Sequence, residues 1–198
     1  SAHRAPSAAA SASAADPFDI HVVASIFAIA LDERRETGAA FGERCGLDAA
    51  ALGALCAEMF PAAAPVLLHL AGGVAPAVDT EERSVHDILL LYASCRSPLE
   101  RPLAAMIARR CCAPHHLWQD LGLRERGELS RLMQTHFQPL ARRNAGDMKW
   151  KKFLYRMVGS SEGFALCTAP VCSDCSDFEE CFGDEEGESR LARIRNAV

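Results

Sequence analysis

The stretch DTEERSVHDILLLYASCRSPLERPLAAMIARRCC, Asp79 to Cys112, decides the fold class. Asp79-Thr-Glu-Glu82 has the form of a capping box, with an acceptor at the cap and an acid three residues on. Val85, Ile88, Leu89 and Tyr92 then recur at spacings of three and four, the period of one helix face. Ser97-Pro98-Leu99-Glu100 repeats the start signal. Ser97 can cap, Pro98 suits the first helical position, and Glu100 stands third. The second helix is predicted to run to about Cys112, before Pro114.

The same grammar extends outward. Ile20, Val23, Phe27, Ala30 and Leu31 predict a helix over Phe18–Arg35, ending near Gly38. Leu47–Phe60 reads as a helix stopped by Pro61, and Pro65–Ala71 as one stopped by Gly72-Gly73. Further helices are predicted at Leu117–Leu121, Arg124–Thr135 and Asp147–Val158. Trp150, Phe153, Leu154 and Met157 mark the buried stripe of the last. No strand alternation or glycine hairpin signal breaks the series, so the expected body, residues 18–159, is an all-α helical array.

Composition supports that reading and removes several functions. The 198 residues are 49% hydrophobic and only 7% aromatic, which favours helices over a β-sandwich. The formal charge of −5 argues against a general nucleic-acid binder. No run of eighteen apolar residues is present, so no membrane span is expected. Gly72-Gly73 lacks the Gly-Lys pair of a phosphate-binding loop. No Gly-x-Ser-x-Gly elbow is present either.

Residues 1–17 contain eight Ala and four Ser, too little bulk for a core, and read as a disordered tail. They lack the apolar centre of a secretory signal, which predicts the cytoplasm. In a reducing compartment, clustered cysteines are metal ligands or redox groups more often than disulfides. The chain has nine.

Four of them lie in a segment of different character. Residues 160–189 contain nine acids and no Lys or Arg, with few large apolar side chains. Such a segment buries too little surface to offset the ordering of its backbone. Cys167, Cys172, Cys175 and Cys181 follow a C-x4-C-x2-C-x5-C pattern within fifteen residues. Four soft donors so close can hold zinc or an iron–sulfur centre, and metal binding supplies the missing folding energy. Spacing argues strongly for metal over a pair of disulfides and weakly between zinc and iron–sulfur. The acids tune a cluster, steer a basic partner, or simply solubilise the loop. Residues 190–198 form a short basic tail.

Three stretches together resemble the NifQ family. They are His116-Leu-Trp-Gln-Asp-Leu-Gly-Leu123, Met148-Lys-Trp-Lys-Lys-Phe-Leu-Tyr-Arg156, and the cysteine run through Cys181-Phe-Gly183. The resemblance spans roughly residues 80–185. Leu154 stands where some members carry an aromatic, a conservative departure. The resemblance implies a metal carrier rather than an enzyme. Such a carrier holds a molybdenum–iron–sulfur cluster on Cys167, Cys172, Cys175 and Cys181. It takes molybdenum from molybdate or another source and donates it for assembly of the nitrogenase iron–molybdenum cofactor. The implied partners are the nitrogenase iron protein and the NifEN scaffold complex. From the residues alone two rivals stand beside it: an interaction module with a structural four-cysteine zinc site, and a one-cluster electron-transfer protein.

Other residues invite weaker readings. Residues 142–156 carry six basic residues against Asp147 alone. That strip is either a solvated face balancing the acidic loop or an oxyanion funnel and docking face. Cys111-Cys112 with His115-His116 suggests a second metal site, but adjacent helical residues point about 100° apart. His116 is an auxiliary-ligand candidate, against a simple hydrogen-bonded role. Cys45, Cys56 and Cys95 read as small buried hydrophobes. His69 and His86 lack a ligand-spaced partner.

Overall fold

Asp79 accepts a hydrogen bond from Glu82 N–H at 2.7 Å and starts α5, Thr80–Leu91. Glu100 starts α6, Glu100–Cys111, two residues later than the proline signal implied. Its carboxylate reaches back to the N–H groups of Cys95, Arg96 and Ser97, while Ser97 Oγ accepts from Leu99 N–H. The Ser-Pro start signal thus forms a tight turn stapled by Glu100. That turn holds Cys95 in left-handed backbone, φ 56°, with its side chain outside. The expectation that Cys95 is buried fails for this local reason.

The computed structural model describes residues 15–72, 75–161 and 178–196. It is all-helical there, with no strand among the described residues. Before α5 come α1 (Pro17–Thr37), α2 (Phe41–Cys45), α3 (Ala49–Met59) and α4 (Ala64–Leu70). After α6 come α7 (Leu117–Asp120), α8 (Arg126–His136), α9 (Gln138–Arg143), α10 (Trp150–Ser161), α11 (Phe178–Phe182) and α12 (Arg190–Asn196). Cys167, Cys172 and Cys175, with most of the expected acidic loop, lie outside the described residues.

The body is built on α5 and α6, with α10 laid against α5 and α2 against both α1 and α6. Val85, Ile88 and Leu89 join Leu103, Met106 and Ile107 in one apolar core. Phe27 packs edge-on to Phe41, ring centres 5.1 Å apart. The stripe expected on α10 is buried as Trp150, Phe153 and Leu154, with Met157 at its margin. Cys45 and Cys56 are fully buried in the core, as expected.

The connections position the site. Gly38 ends α1 at φ 74°, a conformation open to glycine. Asn144 bonds the backbone of Met148 in both directions and closes the loop that launches α10. At Gly122, φ 72°, a Cβ would come within 2.7 Å of Ser25 O, so only glycine lets the chain leave α7 against α1.

Candidate metal-carrier site

Cys181 is the described member of the expected ligand set. It lies on α11, half-buried against the margin of the core. A helix of five residues has little stability of its own, so α11 is held from outside. Lys149 N–H donates to Cys181 O at 2.8 Å, and Lys149 Nζ donates to Glu179 O at 3.1 Å. Lys152 pairs with Glu180. Lys149 and Lys152 of the basic strip are therefore the seat of the cysteine-bearing helix. Arg143 of the same strip is used differently and lies over the Tyr92 ring, 4.6 Å from its centre.

Beside α11 opens a cleft of about 450 Å³, whose walls include His115, His116, Lys149, Lys151, Lys152 and Glu180. Ammonium and imidazole groups of this kind can hold an oxyanion, and the carboxylates in the same walls limit how firmly. The two histidines are already engaged. His116 Nδ1 is 3.2 Å from Glu185, and His115 Nδ1 is 3.1 Å from Asp120.

Asp120 is the hub of this face. Its side chain is 0% exposed, a costly place for a carboxylate unless it is fully paired. Lys151 Nζ donates to it at 2.6 Å, Arg190 at 3.1 Å, and His115 N–H at 3.1 Å. Arg190 also donates to Glu33 at 3.1 Å, and Glu33 accepts from Arg110 at 2.8 Å. Five charged side chains from α1, α6, α7, α10 and α12 thus form one network. Spacing could not reveal it, because Arg190 and Glu33 are far apart in the chain.

The structure separates the Cys111-Cys112 pair, as helix geometry predicted. Cys111 is buried, and burial pushes its thiol up to about 12. A protonated thiol of this kind is a poor metal ligand. Cys112 faces out, beside Asp79 and Glu82. Burial of its sulfur and those two acids raise its pKa. The three ligand atoms lie within 4.8 Å of one another. Arg109 Nε is 3.0 Å from Glu82 and supplies the positive charge there. Among the described residues, neither thiol joins His115 or His116 in a group of three or more side chains close enough to hold a metal ion.

The NifQ family model matches residues 22–183. The chain belongs to the NifQ family. It is 38% identical over 172 residues to a protein NifQ homolog of Sinorhizobium fredii, covering 87% of this chain and 75% of that relative. It is 38% identical over 155 residues to protein NifQ of Rhodobacter capsulatus, covering 76% of this chain and 84% of the relative. A NifQ protein of Azotobacter vinelandii matches a shorter stretch, 40% identical over 88 residues, 44% of this chain and 45% of the relative. No solved structure matches. No helix among the described residues is long and apolar enough to cross a membrane.

Proposed function

We propose that this member of the NifQ family is a metal carrier, not an enzyme. It binds a molybdenum–iron–sulfur cluster through Cys167, Cys172, Cys175 and Cys181 and donates molybdenum for nitrogenase cofactor assembly. Membership of the family supports a role in nitrogen fixation. The observation that carries the reading is the run of four cysteines beyond the helical body, its last member half-buried on a short helix seated by Lys149. A thiol so placed is reachable by cargo, unlike Cys45 and Cys111, whose burial holds them protonated.

Molybdenum reaches such a site as an oxyanion and leaves bound to sulfur. The lysine- and histidine-lined cleft beside α11 supports a first encounter with molybdate, and the thiolates support the exchange of oxygen for sulfur ligands. The cytoplasm is the compartment this chemistry requires, because oxidised cysteines would not bind. The nitrogenase iron protein and the NifEN scaffold complex are the proposed recipients.

Anaerobic purification from nitrogen-fixing cells, followed by iron, molybdenum and sulfide analysis, tests the reading. The protein is expected to be brown and to contain all three, and Cys172→Ala to lose them while keeping its helical circular dichroism. Colourless protein with one zinc per chain would instead favour a structural site of four cysteines. Iron without molybdenum, with reversible one-electron redox, would favour electron transfer.

A further inference from the structure

The chain beyond Cys181 folds back across α7, and the contacts follow one another in register. Glu185 meets His116 and Arg126, each at 3.2 Å. Its side chain is only 4% exposed, so a carboxylate is inserted into the body here. Gln119 Nε2 donates to Glu188 O at 3.0 Å. Arg190 reaches Asp120 and Glu33. Leu191 lies over Gly122, where a Cβ would come within 3.2 Å of it, and α12 packs on α1. His116, Gln119, Asp120 and Gly122 all belong to the stretch singled out in the sequence, and in this chain they face this returning segment. The segment lies beyond residue 183, where the match to the family model ends.

The charges it touches have a distinctive arrangement. Arg126 also holds Asp147 at 2.9 Å. Glu33 also holds Arg110 at 2.8 Å, and Asp120 also holds Lys151 at 2.6 Å. Each of these three body charges keeps an oppositely charged partner when the segment departs. A buried ion pair is hard to break when it strands a charge. Here departure strands none of the three. The hydrophobic part of the seat is small, because α12 is seven residues long and carries three arginines.

We propose that residues 184–196 are a releasable clasp, seated on His116, Gln119, Asp120 and Gly122, that holds the Cys181 end of α11 in position. Docked, the clasp anchors the chain that leaves Cys181, while Lys149 holds α11 directly. Released, α11 depends on the Lys149 side alone, and Cys181 becomes more accessible. The inference rests on the reading of Cys181 as a cargo ligand. It adds a way to loosen one ligand without unfolding the body, through the low-stability openings by which proteins expose sites.

The test uses the full chain, reduced and metal-free. Amide exchange is followed in peptides spanning 178–182 and 184–196. Iodoacetamide alkylation of Cys181 is followed by peptide mass spectrometry, with buried Cys111 as the internal monitor of global opening. Arg190→Ala is expected to speed exchange in 184–196 by about fourfold and Cys181 alkylation by about threefold, with Cys111 reacting far more slowly than Cys181 in both proteins. Arg190→Lys should restore part of the protection. If Arg190→Ala folds poorly, Glu185→Gln is expected to give the same pattern. The proposal is overturned if the clasp loosens and Cys181 does not, if the clasp stays protected, or if Cys181 reacts no faster than Cys111, which would place its exposure in global unfolding. No cargo is present in these assays, so their failure refutes the clasp alone. Metal analysis of Cys181→Ala tests the cargo reading separately.

Discussion

The α5–α6 pair and the α11–α12 end are attached to the same body by opposite means. Between α5 and α6 the contact is apolar: Val85, Ile88 and Leu89 share one buried cluster with Leu103, Met106 and Ile107. At the C-terminal end, attachment runs through Lys149, Lys152, Glu185 and Arg190, each meeting a charge or a carbonyl. Apolar burial is non-directional, and nothing in the interior substitutes for a lost side chain. Ionic attachment is specific and exchangeable, provided the charges left behind have other partners. The first arrangement suits a scaffold. The second suits an element that must hold a ligand and let it go.

Asp120 is where the two regimes meet, and its removal is expected to be the most damaging change. Asp120→Ala leaves Lys151 without its counter-charge and Arg190 with Glu33 alone, in a seat that is 0% exposed on the Asp120 side. A loss of about 3–5 kcal/mol is expected in urea unfolding. A loss below about 1 kcal/mol would mean that the network contributes little and that apolar packing alone organises this face.

The apolar side of the comparison is probed at Leu103, which is fully buried on α6. Leu103→Ala is expected to cost about 3 kcal/mol through lost transfer energy and the cavity left behind. Unfolding should remain one cooperative transition, and amide exchange should rise throughout α5 and α6 rather than in α12. Exchange confined to α12 would show that the two regimes are not separate.

The sequence exposes these regimes unequally. Helices α1, α3, α4, α5, α8 and α10 are legible because their signals are local: a cap, a stop, and an apolar period of three to four residues. Asp79 and Gly38 sit at the ends their chemistry implies. α2 and α9 are too short to establish a period, with five and six residues. Cys95 misleads because an apolar residue beside a helix reads as core, whereas the turn stapled by Glu100 turns it outward. The Asp120 network is invisible to local patterns, since its members come from five separate helices. For the candidate site, spacing points to the cysteine quartet but says nothing of the seat that Lys149 provides for Cys181. His116 reads as a possible ligand because histidine can play that role. The structure instead turns its Nδ1 toward Glu185, a partner too distant along the chain for a local pattern to supply.

A single carboxylate outside the network gives the intermediate case. Glu128 lies near the start of α8, accepting from Arg124 N–H at 2.9 Å and meeting His21 at 3.1 Å. Burial works against its charge, but the Arg124 N–H and His21 prevail and hold its carboxyl below the usual value of 4.5. The carboxylate's stabilisation is therefore complete above the unfolded value and fades as pH falls through the lower folded one. Glu128→Gln is expected to cost about 1 kcal/mol at neutral pH. The gap from the parent should narrow under acid. A gap that widens under acid would show that the folded carboxyl is instead raised.

The smallest effect is expected at the other end of the Asp120 bond. Arg190→Ala removes one of the contacts that Asp120→Ala removes, yet it leaves Asp120 with Lys151 and Glu33 with Arg110. The uncompensated charge that makes the first change costly is missing from the second. A loss below about 1 kcal/mol is expected, with the denaturant slope unchanged because the body still unfolds as before. The pair of variants thus asks which partner needs the bond. In the double variant the two losses should not add, because each single change already removes the Asp120–Arg190 contact. If Arg190→Ala costs as much as Asp120→Ala, the C-terminal segment is structural in the same sense as α5 and α6. The distinction between a permanent scaffold and an exchangeable attachment would then fail at its most direct point.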